Sequence, residues 1–257
     1  MRAVAVLFGS LILTAGAVAS TSLDVTVLPK PGFPAPARDV DPSGPRLELV
    51  WSRYRSLITF WFELRPFPPS WAPRRVRGER RQQAIYQPGG NVFLVYGRDG
   101  SSARYVVGGR RWADKPRYAF DFVNFTHPPN GGWSEPVTWA REVDGVLYVS
   151  NSHLTYASAT QGRNAYVSAI DLSTQKTLWR SPALVANART FVVVGDLIVA
   201  GYGFTAERDF LYLLDRRTGK VLDRLEMPTA PEIIKLRDDR LHVRTYDHDV
   251  VVRIAGS

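Results

Sequence analysis

The feature that most constrains this chain is a fifteen-residue motif that occurs twice, 44 residues apart, first from Tyr166 to Arg180 and again from Phe210 to Arg224. Each copy predicts a strand, a tight polar turn and a returning strand. The leading Asp of each turn can accept hydrogen bonds from turn amides, and Gly219 supplies the positive φ that such a turn favours. Short strands that repeat at a period of about 40–50 residues indicate the blades of a β-propeller.

The same pattern of short strands and tight turns continues on both sides of the two copies. Strands are predicted over 91–96, 104–107, 137–143, 146–150, 165–170, 177–180, 188–194, 197–201, 210–214, 221–225, 232–236, 241–245 and 250–254. The last unit lacks one strand, and in closed propellers the missing strand often comes from the other end of the chain. We therefore predict that an N-terminal strand, from within 46–96, completes the last unit and joins the last blade to the first.

The residues before the repeats divide into three segments by composition. Residues 1–19 combine Arg2, an apolar run and an Ala-Val-Ala ending, which predicts a secretory signal peptide cleaved near Ala19, with an uncleaved anchor as the alternative. Residues 20–45 contain six prolines and predict an extended, largely disordered tether. Residues 46–88 predict an amphipathic helix followed by a basic loop, and residues 89–257 predict the propeller repeats.

The helix is predicted over 46–64, where apolar side chains recur at helical spacing until Pro66. Its apolar stripe suits a core face packed on the neighbouring domain, or alternatively a membrane interface. A strand over 57–62 is the competing interpretation, because those residues are rich in β-formers.

Positive charge is concentrated in one region of the chain. Residues 46–117 contain 15 basic and 5 acidic residues, whereas residues 118–257 contain 15 basic and 16 acidic residues. A local arginine surplus can serve contact with an anionic envelope surface through residues 46–117, although an arginine-rich solvated face is the plainer interpretation. Predicted export argues against nucleic acid as the partner. The absence of cysteine excludes a disulfide framework, a thiolate metal site and a cysteine nucleophile.

The first copy of the motif resembles the repeat of pyrroloquinoline-quinone-like propellers, A-x-D-x-x-T-G-x-x-x-W, with Gln175 where the family prefers Gly. The matching positions in the two copies are Ala169, Asp171, Thr174, Trp179, Asp215, Thr218 and Gly219. The resemblance implies an all-β fold, a small or incomplete propeller of about four blades, in which the Trp packs between adjacent blades. The family includes quinoprotein alcohol dehydrogenases and a lipoprotein scaffold of outer-membrane protein assembly, so it implies either an enzyme or a scaffold.

The candidate binding face follows from loop lengths. Turns within hairpins are short and connections between hairpins are long, and in a propeller these two sets fall at opposite ends. Long loops on a rigid scaffold usually carry binding. Their aromatic, amide and charged side chains suit a protein or glycan partner, although Asn and Tyr also serve simply to shape loops. The residues of this face are Asn151, His153, Tyr156, Gln161, Asn164, Asn187, Tyr202, Phe204, Glu207, Arg208, Tyr246 and His248.

Catalytic patterns are weak by comparison. His153 and His248 are candidate metal ligands, but no histidine pair has the spacing of a known metal motif, and Ser150 and His153 are too close in sequence to align readily for proton transfer. We therefore predict no catalytic residues, no metal and no cofactor, and an exported, non-catalytic binding or scaffold module. The alternatives are a quinone-dependent dehydrogenase or another channel-site enzyme, and a truncated propeller whose exposed edge strands promote a homo-dimer.

Overall fold

A computed structural model describes residues 23–40, 43–55, 67–127 and 132–256, and almost all of their regular structure is β-strand. The strands are β1 (Thr26–Val27), β2 (Arg46–Tyr54), β3 (Arg75–Val76), β4 (Glu79–Tyr86), β5 (Asn91–Gly97), β6 (Tyr105–Arg110), β7 (Tyr118–Asp121), β8 (Val137–Val143), β9 (Val146–Asn151), β10 (Tyr166–Asp171), β11 (Thr177–Arg180), β12 (Val192–Val194), β13 (Leu197–Tyr202), β14 (Phe210–Asp215), β15 (Val221–Glu226), β16 (Pro231–Arg237), β17 (Arg240–Thr245) and β18 (His248–Ala255). The helical elements are α1 (Val123–Thr126) and two 3-10 turns, Gly100–Ser102 and Ala157–Thr160. Within these described ranges, no helix is long and apolar enough to cross a membrane.

The strands form four sheets, which we number as blades 1 to 4. Blade 1 has the order β1-β7-β6-β5-β4-β3, blade 2 the order β11-β10-β9-β8, blade 3 the order β12-β13-β14-β15, and blade 4 the order β16-β17-β18-β2. Neighbouring strands pair antiparallel in each blade, except that β1 joins β7 in parallel. The chain is therefore an all-β propeller of four blades, as the repeat period predicts.

The last blade is completed from the N-terminal part of the chain. β2 pairs antiparallel with β18 over its full length, from Arg46 opposite Ala255 to Tyr54 opposite His248. The predicted contribution of an N-terminal strand from within 46–96 is confirmed.

The same pairing shows that the helix predicted over 46–64 is wrong for residues 46–54, which form β2. The rest of the predicted helix, and the competing strand over 57–62, fall on residues 56–66, outside the described residues. Of the stripe residues in β2, Leu47 is buried, whereas Val50, Trp51 and Tyr54 are substantially exposed. This strand is held mainly by backbone pairing with β18, so the spacing of its apolar residues is a poor guide to its structure.

The junctions between blades 1 and 2, between blades 2 and 3, and between blades 3 and 4 are each filled by an apolar cluster. β5 shows how one strand serves two cores: Phe93 and Val95 face blade 2, whereas Val92, Leu94 and Tyr96 belong to a separate cluster with Trp71 on the far side of blade 1. Side chains alternate between the two faces of a strand, so a run with no polar residue, Val92 to Tyr96, fits a strand covered on both faces.

An N-terminal arm, residues 23–40, crosses from blade 1 to blade 3. β1 pairs with β7, and the buried Leu28 is held by Asn124, whose Nδ2 donates to the Leu28 carbonyl at 2.7 Å. Further along, Ala37 and Val40 pack on the cluster between blades 2 and 3. This differs from the largely disordered tether that the prolines predict, because apolar side chains between the prolines anchor the arm to successive blades.

Candidate binding site on the long-loop face

The two ends of the propeller differ as the loop lengths predict. At one end lie the tight turns, which we call the floor, and there Arg216 of blade 3 reaches Asp144 of blade 2 at 3.0 Å and Asp196 at 3.4 Å. The long connections between hairpins lie at the other end, which we call the long-loop face. The arm crosses this face.

The repeated turns on the floor have the geometry that the motif predicts. In the first copy, Asp171 Oδ1 accepts from the amides of Ser173 and Thr174 at 2.7 and 2.9 Å. In the second copy, Asp215 Oδ1 accepts from the amides of Arg217 and Thr218 at 3.0 and 2.7 Å. The Ser173 hydroxyl also donates to Asp171 Oδ1, at 2.6 Å. This bond, together with the amide bonds, stabilises the charged form of Asp171 and lowers the pKa of that carboxyl below its usual range.

Trp179 joins blade 2 to blade 3. Its Nε1 donates to the Arg216 carbonyl at 3.1 Å, and its ring lies directly on Gly219, where a Cβ would overlap it. Ala169, opposite Trp179 in the sheet, is fully buried in the cluster between the two blades. The motif residues therefore lie in turns and at a blade junction, away from the long-loop face.

A cleft of about 240 Å³ opens on the long-loop side of the junction between blades 2 and 3. Its walls come from the arm, the connections of both blades and the side of blade 3 that faces blade 2. The lining residues are Pro36, Ala37, Ala157, Ala183, Leu184, Val185, Tyr202, Glu207, Arg208, Phe210, Tyr212 and Arg224. Tyr202, Glu207 and Arg208 are among the residues that the loop argument predicts.

Glu207 organises the polar wall of the cleft. Its Oε2 accepts from the Tyr202 hydroxyl at 2.7 Å, and its Oε1 accepts from the amide of Ala157 at 2.6 Å. Burial, together with the bond to Glu207, raises the pKa of Tyr202 well above its usual range, so the phenol stays a neutral donor. Close by, Tyr156 and Phe204 meet edge to face with ring centroids 4.7 Å apart, which stiffens the two loops that carry them.

The opposite wall is aromatic and cationic. The guanidinium groups of Arg208 and Arg224 each lie 5.2 Å from the centroid of the Phe210 ring. Arg208 also pairs with Glu226 at 2.6 Å. Phe210, Tyr212 and Arg224 are absent from the predicted face, because they lie on strands. They reach the cleft from the side of β14 and β15 that faces blade 2. The sequence signal that could have identified them is the alternation of aromatic residues along β14, at Phe210 and Tyr212.

Three predicted amides are directed into the loops. Asn164 exchanges two hydrogen bonds with the backbone of His153, both at 2.7 Å. Asn187 does the same with Gly203, at 2.7 and 3.1 Å, and Asn151 donates to the Glu135 carbonyl at 3.3 Å. All three are buried. Their role in the structure is to fix the loops that present the cleft.

Two further predicted residues, Tyr246 and His248, lie apart from the cleft, on blade 4. Tyr246 is 65% exposed. His248 Nδ1 lies 2.7 Å from Asp247 Oδ1, but the Thr229 hydroxyl donates to Asp247 and not to the imidazole, so the three do not form a hydroxyl-to-imidazole relay. Across the part of the chain that the structure describes, no three His, Asp or Glu side chains are grouped so as to hold a metal ion.

A second polar feature lies under the arm, between blades 1 and 2. Arg180 and Glu135 pair at 3.2 Å with almost no side-chain exposure. The guanidinium lies 4.1 Å from the centroid of Tyr166 and 4.6 Å from that of Phe33 in the arm. Burial raises the pKa of Glu135 to about 8 despite the opposing effect of Arg180.

No protein-family profile matches this chain, and no curated protein does. Solved structures do match. The computationally designed Ika8 protein aligns at 12% identity and a TM-score of 0.44, over 68% of this chain and 45% of its own. BamB from Moraxella catarrhalis aligns at 13% identity and a TM-score of 0.36, over 73% of this chain and 61% of its own. The β-propeller domain of Cps50 (Swd1) from Myceliophteria thermophila aligns at 12% identity and a TM-score of 0.44, over 68% of this chain and 51% of its own.

Proposed function

We propose that this protein is an exported, non-catalytic binding module that holds an extended segment of a protein partner along its long-loop face. The observation that carries the proposal is the arm itself. An extended, proline-containing stretch of this chain already lies across the face, with Phe33 edge to face against Tyr166 at 5.9 Å and the Pro34 carbonyl accepting from the Tyr166 hydroxyl at 3.3 Å. Aromatic grooves that take extended proline-rich segments are a recurring mode of peptide recognition.

The cleft continues the same chemistry beyond the arm. Pro36 and Ala37 form one wall, and Tyr202, Phe210 and Tyr212 offer aromatic surface next to them. A protein partner fits this cleft better than a glycan, because both oxygens of Glu207 already accept hydrogen bonds from the chain and are less available to sugar hydroxyls. Two further statements are part of this proposal. The repeat is related to that of quinoprotein-like propellers, and residues 1–19 direct the export of the protein.

The test uses a labelled peptide with the sequence of residues 30–40 as the probe, and measures its binding to the full chain. Wild-type protein should bind it weakly, because the arm competes from within the same chain. Phe33→Ala weakens the competitor and should raise the apparent affinity by about fivefold or more. Adding Phe210→Ala should abolish the gain, whereas adding Tyr246→Ala, on the same face but outside the cleft, should leave it unchanged.

The proposal fails if the Phe33→Ala protein binds no peptide while its melting curve shows it folded. It fails equally if Phe210→Ala and Tyr246→Ala have the same effect. Native mass spectrometry of the same samples reports whether the protein is a monomer or a dimer.

A further inference from the structure

The most exposed aromatic side chains among the described residues lie far from the long-loop face. Phe67 is 92% exposed and Trp112 is 79% exposed. They are linked through Tyr86, whose hydroxyl donates to the Phe67 carbonyl at 3.1 Å, and through Arg111, whose guanidinium lies 5.9 Å from the Tyr86 ring and 5.8 Å from the Trp112 ring. We call Phe67, Tyr86, Arg110, Arg111 and Trp112 the aromatic–arginine patch.

The patch lies at the floor end of blade 1. Gly89 and Gly90 are in the turn between β4 and β5, at the start of β5, whereas the end of β5 lies beside Ala103, whose carbonyl accepts from Val137 at the long-loop end. A ligand on the patch and a partner on the long-loop face would therefore occupy opposite ends of the propeller. The two sites do not compete for space.

The backbone beneath the patch is firmly held. Trp71 Nε1 donates to the Arg110 carbonyl at 2.7 Å, the Arg111 amide donates to the Gly90 carbonyl at 2.8 Å, and Arg110 Nη1 donates to the Gly89 carbonyl at 2.5 Å. Trp112 rests on Gly90, where a Cβ would come within 2.7 Å of its ring. Gly90 and the anchored loop hold the indole outward, so its exposure is built into the fold.

The charge around the patch is positive. The connection from β6 to β7 carries Arg110, Arg111, Lys115 and Arg117 against a single acid, Asp114. Of these cations, Arg117 is paired with Glu142 at 2.6 Å. The region 46–117, to which the patch belongs, has a formal charge of +10 (15 basic minus 5 acidic residues), whereas residues 118–257 sum to −1.

We propose that the aromatic–arginine patch seats the protein on an anionic lipid surface. Tryptophan is enriched at the level of lipid headgroups because its ring is apolar and its N–H is polar, and arginine forms bidentate contacts with phosphate. Exposed aromatics flanked by cations combine insertion with attraction to anionic headgroups. The long-loop face would then point away from the membrane, open to a partner. This inference is independent of the peptide proposal, since it concerns the other end of the molecule.

The experiment is co-sedimentation of the full chain with vesicles of phosphatidylcholine, with and without phosphatidylglycerol. We expect binding only when phosphatidylglycerol is present, and weaker binding as salt is added. Arg111→Gln and Lys115→Gln should each weaken binding about fivefold, since a cation near an anionic leaflet contributes about that factor. Phe67→Ser with Trp112→Ser should weaken it about tenfold or more, because both rings lose their place in the interface.

Matched controls come from exposed residues elsewhere. Leu154→Ser with Tyr246→Ser removes apolar surface on the long-loop face, and Arg163→Gln with Arg189→Gln removes two exposed cations from the same face. Both pairs should bind vesicles as wild type does. Equal binding by the Phe67/Trp112 variant and wild type would overturn the proposal. The proposal would also be overturned if the charge changes weaken vesicle binding but the protein binds a soluble polyphosphate equally well. That result would identify a general anion site.

Discussion

The two copies of the repeated motif have the same turn but join the next blade by different chemistry. In blade 2, Trp179 lies on Gly219 and donates to the Arg216 carbonyl of blade 3. In blade 3, the equivalent position is Asp223, whose Oδ2 accepts from the Leu47 amide at the start of β2 in blade 4, at 2.6 Å. The motif thus fixes the hairpin, and the residue at this position is matched to the surface it meets.

The difference reflects where each neighbour comes from in the chain. Blade 3 offers Trp179 a complete turn with a bare glycine, so a flat ring fits. Blade 4 offers Asp223 an edge strand that arrives from the N-terminal part of the chain with a free amide, so a carboxylate fits. The residue after Trp179 adds a third kind of junction, because Arg180 is directed to blade 1 and pairs there with Glu135 inside the protein.

The largest expected effect is at the apolar junction. Trp179→Ala removes a ring that fills the space between blades 2 and 3, and should lower the free energy of unfolding by about 3 kcal/mol. The adjacent Leu178 is 53% exposed and faces away, so Leu178→Ala is the matched control and should cost less than about 0.5 kcal/mol. Chemical denaturation of both variants measures the difference, and equal midpoints would contradict the docking role.

The buried Arg180–Glu135 contact should affect the pH dependence of stability. Burial raises the pKa of Glu135 to about 8 in the folded protein, so the folded state holds a proton that the unfolded chain has already released. The stabilisation that this protonated carboxyl contributes is fully present below the ordinary carboxyl pKa, and it is lost as the pH rises towards 8. Between pH 6 and 8 the loss should be on the order of 2 kcal/mol.

Denaturant titrations across that window, on wild type and Glu135→Gln, test this. The amide does not titrate, so the variant should have a flatter profile. Asp209, whose pKa burial raises to about 6, contributes mainly below the window. Parallel profiles would show that Glu135 is ionised throughout.

Substitution of the glycine under Trp179 distinguishes the cost of backbone strain from the cost of displacing the ring. Gly219 and Gly145 both have positive φ, +71° and +77°, but only Gly219 faces a ring; nothing lies within 4 Å of a Cβ on Gly145. Gly145→Ala should therefore cost about 1 kcal/mol for backbone strain alone, and Gly219→Ala about 2 kcal/mol because the ring must also move. Thermal or chemical unfolding compares them. Equal losses would mean that the ring adjusts without cost.

The smallest expected effect is at the polar junction. Asp223→Ala leaves the Leu47 amide without its acceptor and should cost about 1 kcal/mol. Asp223→Asn keeps an acceptor oxygen and should recover most of that loss. Hydrogen exchange at Leu47 gives a local reading: it should quicken in the alanine variant and stay near the wild-type rate in the asparagine variant. Unchanged exchange in both would show that β18 alone holds this end of β2.

Much of the strand pattern could be predicted because it depends on local alternation and turn chemistry. β8 over Val137–Val143 matches the prediction, and β9, β10 and β14 differ from it by one residue at their ends. The helix prediction is wrong for residues 46–54, whose strand depends on a partner about 200 positions away in sequence, β18. Helical spacing of apolar residues cannot reveal such a partner. The basic loop predicted after that helix is also wrong where β4 forms, over Glu79–Tyr86, because this strand depends on pairing with β5.

The candidate site was predictable only in part. The choice of the long-loop end follows from loop length, and Tyr202, Glu207 and Arg208 follow with it. Residue type alone could not show that Asn164 and Asn187 bind their own loops, since an amide that binds a ligand and one that binds backbone look the same in sequence. Nor could it show that Phe210 and Arg224 complete the cleft from neighbouring strands.

By itself, then, the sequence determined the blades, because a repeated turn that begins with Asp, set between short apolar strands, has few other ways to satisfy its backbone and bury its side chains. The sequence also predicted that a strand from within 46–96 completes the last blade. Only the tertiary structure decided that this strand is β2, and that the arm lies across the long-loop face over Tyr166 and Arg180. The physical reason is range. Turn geometry and alternation act over a few residues, whereas strand completion and arm packing depend on surfaces that exist only once the blades have formed.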